Sequence, residues 1–323
     1  MRRVKVFFSA LLVTFCLATL SLFVGVSAVS PLEIVTGSAD EQQVLVFLAS
    51  RIPRTAALLL AGCGMAMTGT ILQMLARNRF VEPSTTGTVE SAGLGMLMVL
   101  VVAPDMPIIA KMFVAAVFAL AGTSLFLAIL KAMPFRSVLM VPLVGIMLGG
   151  MIGAVTTFFA YRFDLLQSMG AWASGDFSTV LRGRYEILWI AFALTVSAYV
   201  AADRFTVAGM GEEFSTNLGL NYGQVLSVGL VIVSMVTASV VVTVGVIPFI
   251  GLIVPNLVSM AMGDNLRRSL PWIGLCGAFL VLLCDIIGRT VNAPFEIPVG
   301  TVLGVIGSLF FLYLLMGKRR RVA

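Results

Sequence analysis

Histidine is absent from this 323-residue sequence, and only four cysteines occur, none of them in a Cys-x-x-Cys pair. Without imidazole groups, the sequence excludes histidine metal sites and histidine-dependent catalysis. The pattern G-x-x-x-x-G-K-[ST], which cradles nucleotide phosphates, is also missing. We therefore expect a chain that is not an enzyme and that holds no metal, nucleotide or other cofactor of its own.

Charged residues are scarce as well, at 11% of the chain, compared with about 25% in a typical soluble domain. Hydrophobic residues make up 59%, the mean hydropathy is +1.07, and apolar runs of about 20 residues recur along the whole sequence. These runs predict an all-α, polytopic membrane protein. The net charge of +6 does not indicate a nucleic-acid partner, because the basic residues lie between the apolar runs, where membrane topology explains them.

The apolar runs predict about ten spans within one transmembrane domain that covers residues 1–323. The first run is longer than the roughly 7–15 residues of a signal-peptide core, and we interpret it as an uncleaved span. The eighth contains Pro255 and is short, so it must be buried in protein rather than face lipid alone. The approximate cores are residues 6–28, 53–75, 89–104, 112–130, 138–160, 186–202, 225–245, 248–263, 271–288 and 298–316.

Lysines and arginines predict the orientation. If both termini are cytoplasmic, 14 of the 21 basic residues fall on the cytoplasmic side, as the positive-inside rule requires. The segment RIPR, with Arg51 and Arg54, then lies on the external side. From the residues alone, these two arginines could simply extend to lipid headgroups. Asp285 and Arg289 are spaced i, i+4 near an external helix end, which predicts a structural ion pair.

Four segments, in order along the chain, resemble the iron-siderophore and vitamin B12 permease family of bacterial ABC importers, the FecCD family. They are RIPR at 51–54, RNRFVEP at 77–83, GVIPFIGLIVP at 245–255 and EIPVG at 296–300. The resemblance implies ten helices per subunit and two permease subunits per pore. It also implies two cytoplasmic ABC ATPase subunits, which bind ATP and magnesium, and an external substrate-binding protein that is periplasmic or lipid-anchored.

Two departures from the family pattern bear on the substrate. The family commonly has RNPLADP where this chain has RNRFVEP, and small or amide residues where this chain has Glu90. Both features resemble the subgroup that imports ferric siderophores, of which the catecholate type is one candidate. They count against a cobalamin substrate, although cobalamin and haem stay open. An ion-coupled secondary transporter is less favoured, because few ionisable residues fall near the predicted midplane.

The resemblance also assigns roles to particular residues. It implies that Arg51, Arg54 and Arg289 face the periplasm of a bacterial inner membrane and meet acidic residues on the two lobes of the binding protein. It implies that the polar connector 209–223 holds a coupling helix that fits a cleft of the ATPase. The second permease subunit is either a copy of this chain or, as the subgroup slightly favours, a similar one. The residues expected to carry coupling are Gly211, Glu212, Glu213, Asn217, Leu218 and Gly219.

Overall fold

Helices account for most of the chain in the computed structural model, which describes residues 2–25, 31–133, 139–263 and 265–319. Within these residues no β-strand occurs, so the prediction of an all-α protein is confirmed. The α-helices are α1 (Arg2–Phe23), α2 (Pro31–Thr36), α3 (Glu41–Val46), α4 (Ile52–Leu75), α5 (Thr88–Val102), α6 (Ile108–Ala132), α7 (Met140–Arg162), α8 (Leu166–Ala173), α9 (Leu188–Val200), α10 (Ala202–Ala208), α11 (Glu212–Asn217), α12 (Tyr222–Val244), α13 (Ile250–Met262), α14 (Leu266–Thr290) and α15 (Val299–Arg319).

The helices that correspond to the predicted spans are of three kinds: long apolar segments, one bent pair and shorter apolar helices. Among the described residues, six helical segments are long and apolar enough to cross a membrane: α1, α3–α4, α6, α7, α12 and α14. The segment with α9 and α10 is bent by 67° at residue 201, and α5, α13 and α15 are shorter apolar helices. The expectation of about ten spans is thus confirmed in outline. The predicted end of the first span at 28 and the start of the fifth at 138 lie outside the described residues.

The second span differs from the prediction at its start. The sequence suggests that it begins near Pro53, but the helical segment already starts at Glu41 and runs to Leu75. Proline lacks an N–H and normally interrupts an α-helix. Here a π-helical turn, Phe47–Arg51, precedes it, and the N–H of Ile52 donates to the carbonyl of Phe47. Because of this turn, Arg51 and Arg54 lie inside a continuous helix rather than in a loop.

Helix α4 is the most buried of the candidate spans, and glycines let its neighbours approach closely. A Cβ added at Gly62 would lie 2.6 Å from the carbonyl oxygen of Gly277 in α14. A Cβ added at Gly69 would lie 2.3 Å from the Cα of Gly251 in α13. Small residues at such contacts allow backbones to pack directly in a membrane. The short helix α13 is buried along residues 250–256, including Pro255, as predicted.

The antiparallel helices α4 and α14 define two ends of the bundle. Arg54 in the first turn of α4 contacts Asp285, which lies near the end of α14; we call this the cluster end. At the other end, Met74 near the end of α4 lies next to Gly209, at the start of the connector. We call this the connector end.

We expect these two ends to lie on opposite sides of the membrane. Arg182 is exposed, and its backbone N–H donates a hydrogen bond to the carbonyl of Ala49 near the cluster end. Glu213 is exposed in the connector. In a variant without the native cysteines, Arg182→Cys should react with a membrane-impermeant maleimide in intact cells. Glu213→Cys should react only after the cells are opened. Labelling of both cysteines in intact cells would contradict the topology.

Candidate docking and coupling sites

A carboxylate between two arginines forms the centre of the cluster end. Arg54 donates to Oδ1 of Asp285 through Nε at 3.1 Å and through Nη2 at 2.7 Å. Arg289, one turn further along α14, donates to Oδ2 of Asp285. The predicted i, i+4 pair is therefore confirmed. Arg54 also donates to Glu296 at 2.8 Å, in the segment between α14 and α15. The Asp285 side chain has no exposed surface, so its two oxygens rely on these arginines, rather than on solvent, for hydrogen bonds.

The same cluster holds the end of α1. Arg289 donates to the carbonyls of Ser21 at 3.0 Å and Val24 at 2.7 Å, and to the hydroxyl of Ser21 at 2.6 Å. Arg51 donates to the carbonyl of Val24 as well. Carbonyls at the end of a helix have no partner within it and carry partial negative charge, so guanidinium groups stabilise them. The cluster thus joins α1, α4 and α14.

Burial separates the three arginines that the family resemblance assigns to docking. Arg51 and Arg289 are buried, at 7% and 5% exposed. The side chain of Arg54 is 12% exposed, and that of its partner Glu296 is 26% exposed. Of the cluster's ion-pair contacts, the one between Arg54 and Glu296 is therefore the one that reaches the surface. The docking role itself stays a prediction.

Several partners in this cluster could not be identified from the sequence. Helical spacing indicated the pair of Asp285 and Arg289, because both residues lie in one helix. Glu296 stands in the quoted segment EIPVG, but nothing in that segment indicates that its side chain turns to Arg54, 242 positions earlier. Ser21 has no sequence signal at all, since its contact with Arg289 depends on how α1 packs against α14.

At the connector end, residues Glu212–Asn217 form the short helix α11, where the sequence indicates only a polar loop able to hold a helix. Gly211 precedes α11 with φ of 116°, a conformation that side-chain-bearing residues rarely adopt. A Cβ on Gly211 would also lie 3.1 Å from the guanidinium of Arg77. Ser215 is fully buried and donates to the carbonyls of Val207 and Gly211. These contacts fix α11 on the bundle through one face.

The opposite face of α11 is exposed and has both charge and apolar surface. Five of the six predicted coupling residues lie on exposed surface: Glu212, Glu213, Asn217, Leu218 and Gly219. Three apolar side chains spaced four residues apart are exposed beside them, namely Met210 at 54%, Phe214 at 49% and Leu218 at 59%. Phe214 of α11 and Leu218 directly after it are spaced i, i+4 and share a helical face, whereas Met210 lies before Gly211, outside the helix. The prediction included only Leu218 and missed the other two, although their spacing is visible in the sequence.

The segment RNRFVEP is attached to the start of α13. Oε1 of Glu82 accepts the N–H of Phe249, the residue before α13, at 2.8 Å, and Glu82 is fully buried. Gln73 donates to the carbonyl of Gly251 at 3.0 Å, and Asn256 donates to that of Arg79 at 2.9 Å. A carboxylate at the start of a helix stabilises it. Glu82, which lies in a segment that departs from the family pattern, therefore positions the start of the short helix α13 within the bundle.

Comparison with known proteins gives a consistent family match. Residues 10–317 match the FecCD transport family. The petrobactin import system permease protein YclN of Bacillus subtilis is 48% identical over 94% of this chain and 95% of its own length. The ferric-anguibactin transport system permease protein FatD of Vibrio anguillarum is 42% identical over 97% of this chain and 99% of its own length.

A solved structure has the same fold. It is an ABC transporter assigned to the metal-chelate type, in an inward-facing conformation, and it superposes with a TM-score of 0.80 at 25% identity. The match covers 97% of this chain and 99% of the other. The shared fold therefore extends over nearly the whole chain.

We predict that Asp285→Asn destabilises the protein by about 3–5 kcal/mol, because the guanidinium groups of Arg54 and Arg289 then lose the negatively charged partner that they share. Thermal unfolding of the purified chain, followed by tryptophan fluorescence, measures the loss. The matched control is Asp203→Asn, which breaks the exposed pair with Arg267 and should cost about 0–1 kcal/mol. Equal effects of the two substitutions would show that the buried cluster has no special role.

Proposed function

We propose that this chain, which belongs to the FecCD transport family, is the permease subunit of an ABC importer for ferric siderophores in a bacterial cytoplasmic membrane. The observation that carries the proposal is the 48% identity to a petrobactin permease over 94% of the chain. The ferric-anguibactin permease, at 42%, supports the same substrate class. A catecholate chelator remains a prediction within that class.

The connector end is the surface that we assign to the cytoplasmic ATPase. Its exposed side chains Met210, Phe214 and Leu218 can fill an apolar cleft, and Glu212 and Glu213 beside them can pair with basic residues. Aromatic and apolar anchors surrounded by polar groups are typical of protein interfaces. ATP and magnesium belong to that partner, so this chain needs no cofactor of its own.

The cluster end is the surface that we assign to the substrate-binding protein. Arginines form bidentate, charge-assisted pairs with carboxylates, which favours an acidic partner. In this structure Glu296, which is part of the chain itself, pairs with Arg54. A carboxylate from the binding protein would take the place of Glu296, so docking is an exchange of one carboxylate for another. Such contacts set orientation and association rate more than affinity.

Transport then follows from differential contacts at the two ends. The pore of two permease subunits alternates between outward and inward openings, and each partner binds one opening better than the other. Because the two ends share helix α4, a contact at either end acts on the same rigid element. The second subunit is a copy of this chain or a similar permease.

Reconstitution tests the function directly. The chain is placed in proteoliposomes with its second permease subunit and ATPase, and uptake of ⁵⁵Fe-petrobactin and ⁵⁵Fe-anguibactin is measured with the binding protein present. We expect uptake that requires ATP, and no uptake by the permease alone under a proton or sodium gradient. Uptake driven by an ion gradient without the ATPase would instead indicate a secondary transporter.

We predict that Arg51→Glu combined with Arg54→Glu abolishes uptake, because the acidic partner is repelled. Membrane insertion and co-purification of the ATPase should persist. In the matched control, Arg182→Glu is combined with Arg184→Glu. These two arginines are exposed and external by the same topology, and this variant should retain uptake. Normal uptake in the Arg51 and Arg54 variant would contradict the docking role.

A milder substitution separates docking from stability, since charge reversal also disturbs the buried cluster. Glu296→Gln keeps a hydrogen-bond acceptor for Arg54 but removes the competing charge. We expect the binding protein to associate several-fold faster at low salt, with the difference fading at high salt. Surface plasmon resonance on the complex in nanodiscs measures both rates. An unchanged association rate would contradict the exchange of carboxylates.

A further inference from the structure

A lateral groove lies between α1, α13, α14 and α15, and none of its lining residues belongs to the cluster or to the connector. Its volume is about 800 Å³, and its lining is almost wholly apolar. Residues on its walls include Leu257 and Ala261 of α13, Cys276 and Leu280 of α14, and Phe310 of α15. No role assigned to the docking and coupling surfaces uses this groove.

The wall that α14 contributes ends in a positive charge. Trp272, Cys276 and Leu280 line the groove at four-residue spacing, and Arg268 stands four residues before Trp272. Residues at this spacing share one helical face, so Arg268 lies at the open end of the same stripe. It is exposed, as is Lys5, which directly precedes the groove-lining Val6. Phe7 packs edge to face on Trp272 at 5.0 Å, which holds the start of α1 beside the start of α14.

The groove has the depth of one leaflet. Along α14, Trp272 lies about 9 Å and Leu280 about 21 Å from the first residue of the helix, at 1.5 Å per residue. Arg268 lies only about 3 Å from that residue. Half of a bilayer's hydrocarbon core is about 15 Å thick. The apolar walls therefore cover the depth of an acyl chain, and the cations lie at the level of a headgroup.

We propose that this groove binds an anionic glycerophospholipid, with an acyl chain along the α13 and α14 walls and the phosphate at Arg268 and Lys5. The charge at the open end selects an anionic lipid over a zwitterionic one, because basic residues near the membrane surface attract anionic headgroups. The leaflet follows from the proposed topology, which makes it the cytoplasmic one. The binding itself does not depend on the substrate of the importer.

Native mass spectrometry tests the proposal on the full-length protein. The chain is released from nanodiscs of equal parts phosphatidylglycerol and phosphatidylcholine, and the retained lipids are counted. We expect phosphatidylglycerol to be retained in excess. Arg268→Gln should reduce this retention about fivefold, which corresponds to about 1 kcal/mol for one basic residue at the surface. The matched control is Arg267→Gln, the adjacent residue, which pairs with Asp203 and should change retention less than twofold.

A second pair of variants tests the acyl site. Ala261→Phe fills the groove and should remove the retained lipid, whereas Val117→Phe, on an exposed part of α6, should not. Inorganic phosphate at millimolar concentration should not displace the lipid. Three results would overturn the proposal: equal retention of both lipids, unchanged retention in both Arg268→Gln and Ala261→Phe, or disulfide cross-linking of two chains through Leu257→Cys, which would place a second copy in the groove. None of these readouts depends on transport, so a failure here is distinct from a failure of the proposed function.

Discussion

The carboxylate of Asp285 is the constraint on which the cluster end depends. It is fully buried, and it accepts hydrogen bonds from Arg54 of α4 and Arg289 of α14. Arg289 in turn holds the carbonyls of Ser21 and Val24 at the end of α1. Removing one member of such a buried group leaves charge without a partner and is strongly destabilising. One acidic side chain therefore fixes the relative positions of three helices at the surface where the binding protein is proposed to dock.

The cluster end and the connector end are connected through α4. Its first turn carries Arg54, and near its last turn Met74 lies against Gly209 of the connector. Between these points, Gly62 and Gly69 bring α14 and α13 into backbone contact with α4. Close packing of this kind resists continuous deformation, so a displacement at one end moves the helix as a unit. A contact at the proposed docking surface and one at the proposed coupling surface would therefore act on the same helix.

Much of the fold could be predicted from local patterns. Composition and apolar runs predicted the helical bundle and its approximate spans, and i, i+4 spacing predicted the pair of Asp285 and Arg289. The continuous helix from Glu41 could not be predicted, because Pro53 normally marks a helix start and the π-turn that accommodates it has no clear sequence signal. The contacts of Arg54 with Glu296 and of Glu82 with Phe249 join residues 242 and 167 positions apart. Such contacts depend on how the helices pack, which a single sequence does not specify.

A double-mutant cycle between Arg54 and Asp285 tests the central claim most directly. Arg54→Met, Asp285→Leu and the double variant are compared by their free energies of unfolding in mixed micelles. If the two side chains act as one buried unit, the double variant should lose less stability than the two single losses combined, by about 2 kcal/mol or more. Losses that add to within about 0.5 kcal/mol would contradict the claim, because additivity is the behaviour of independent sites.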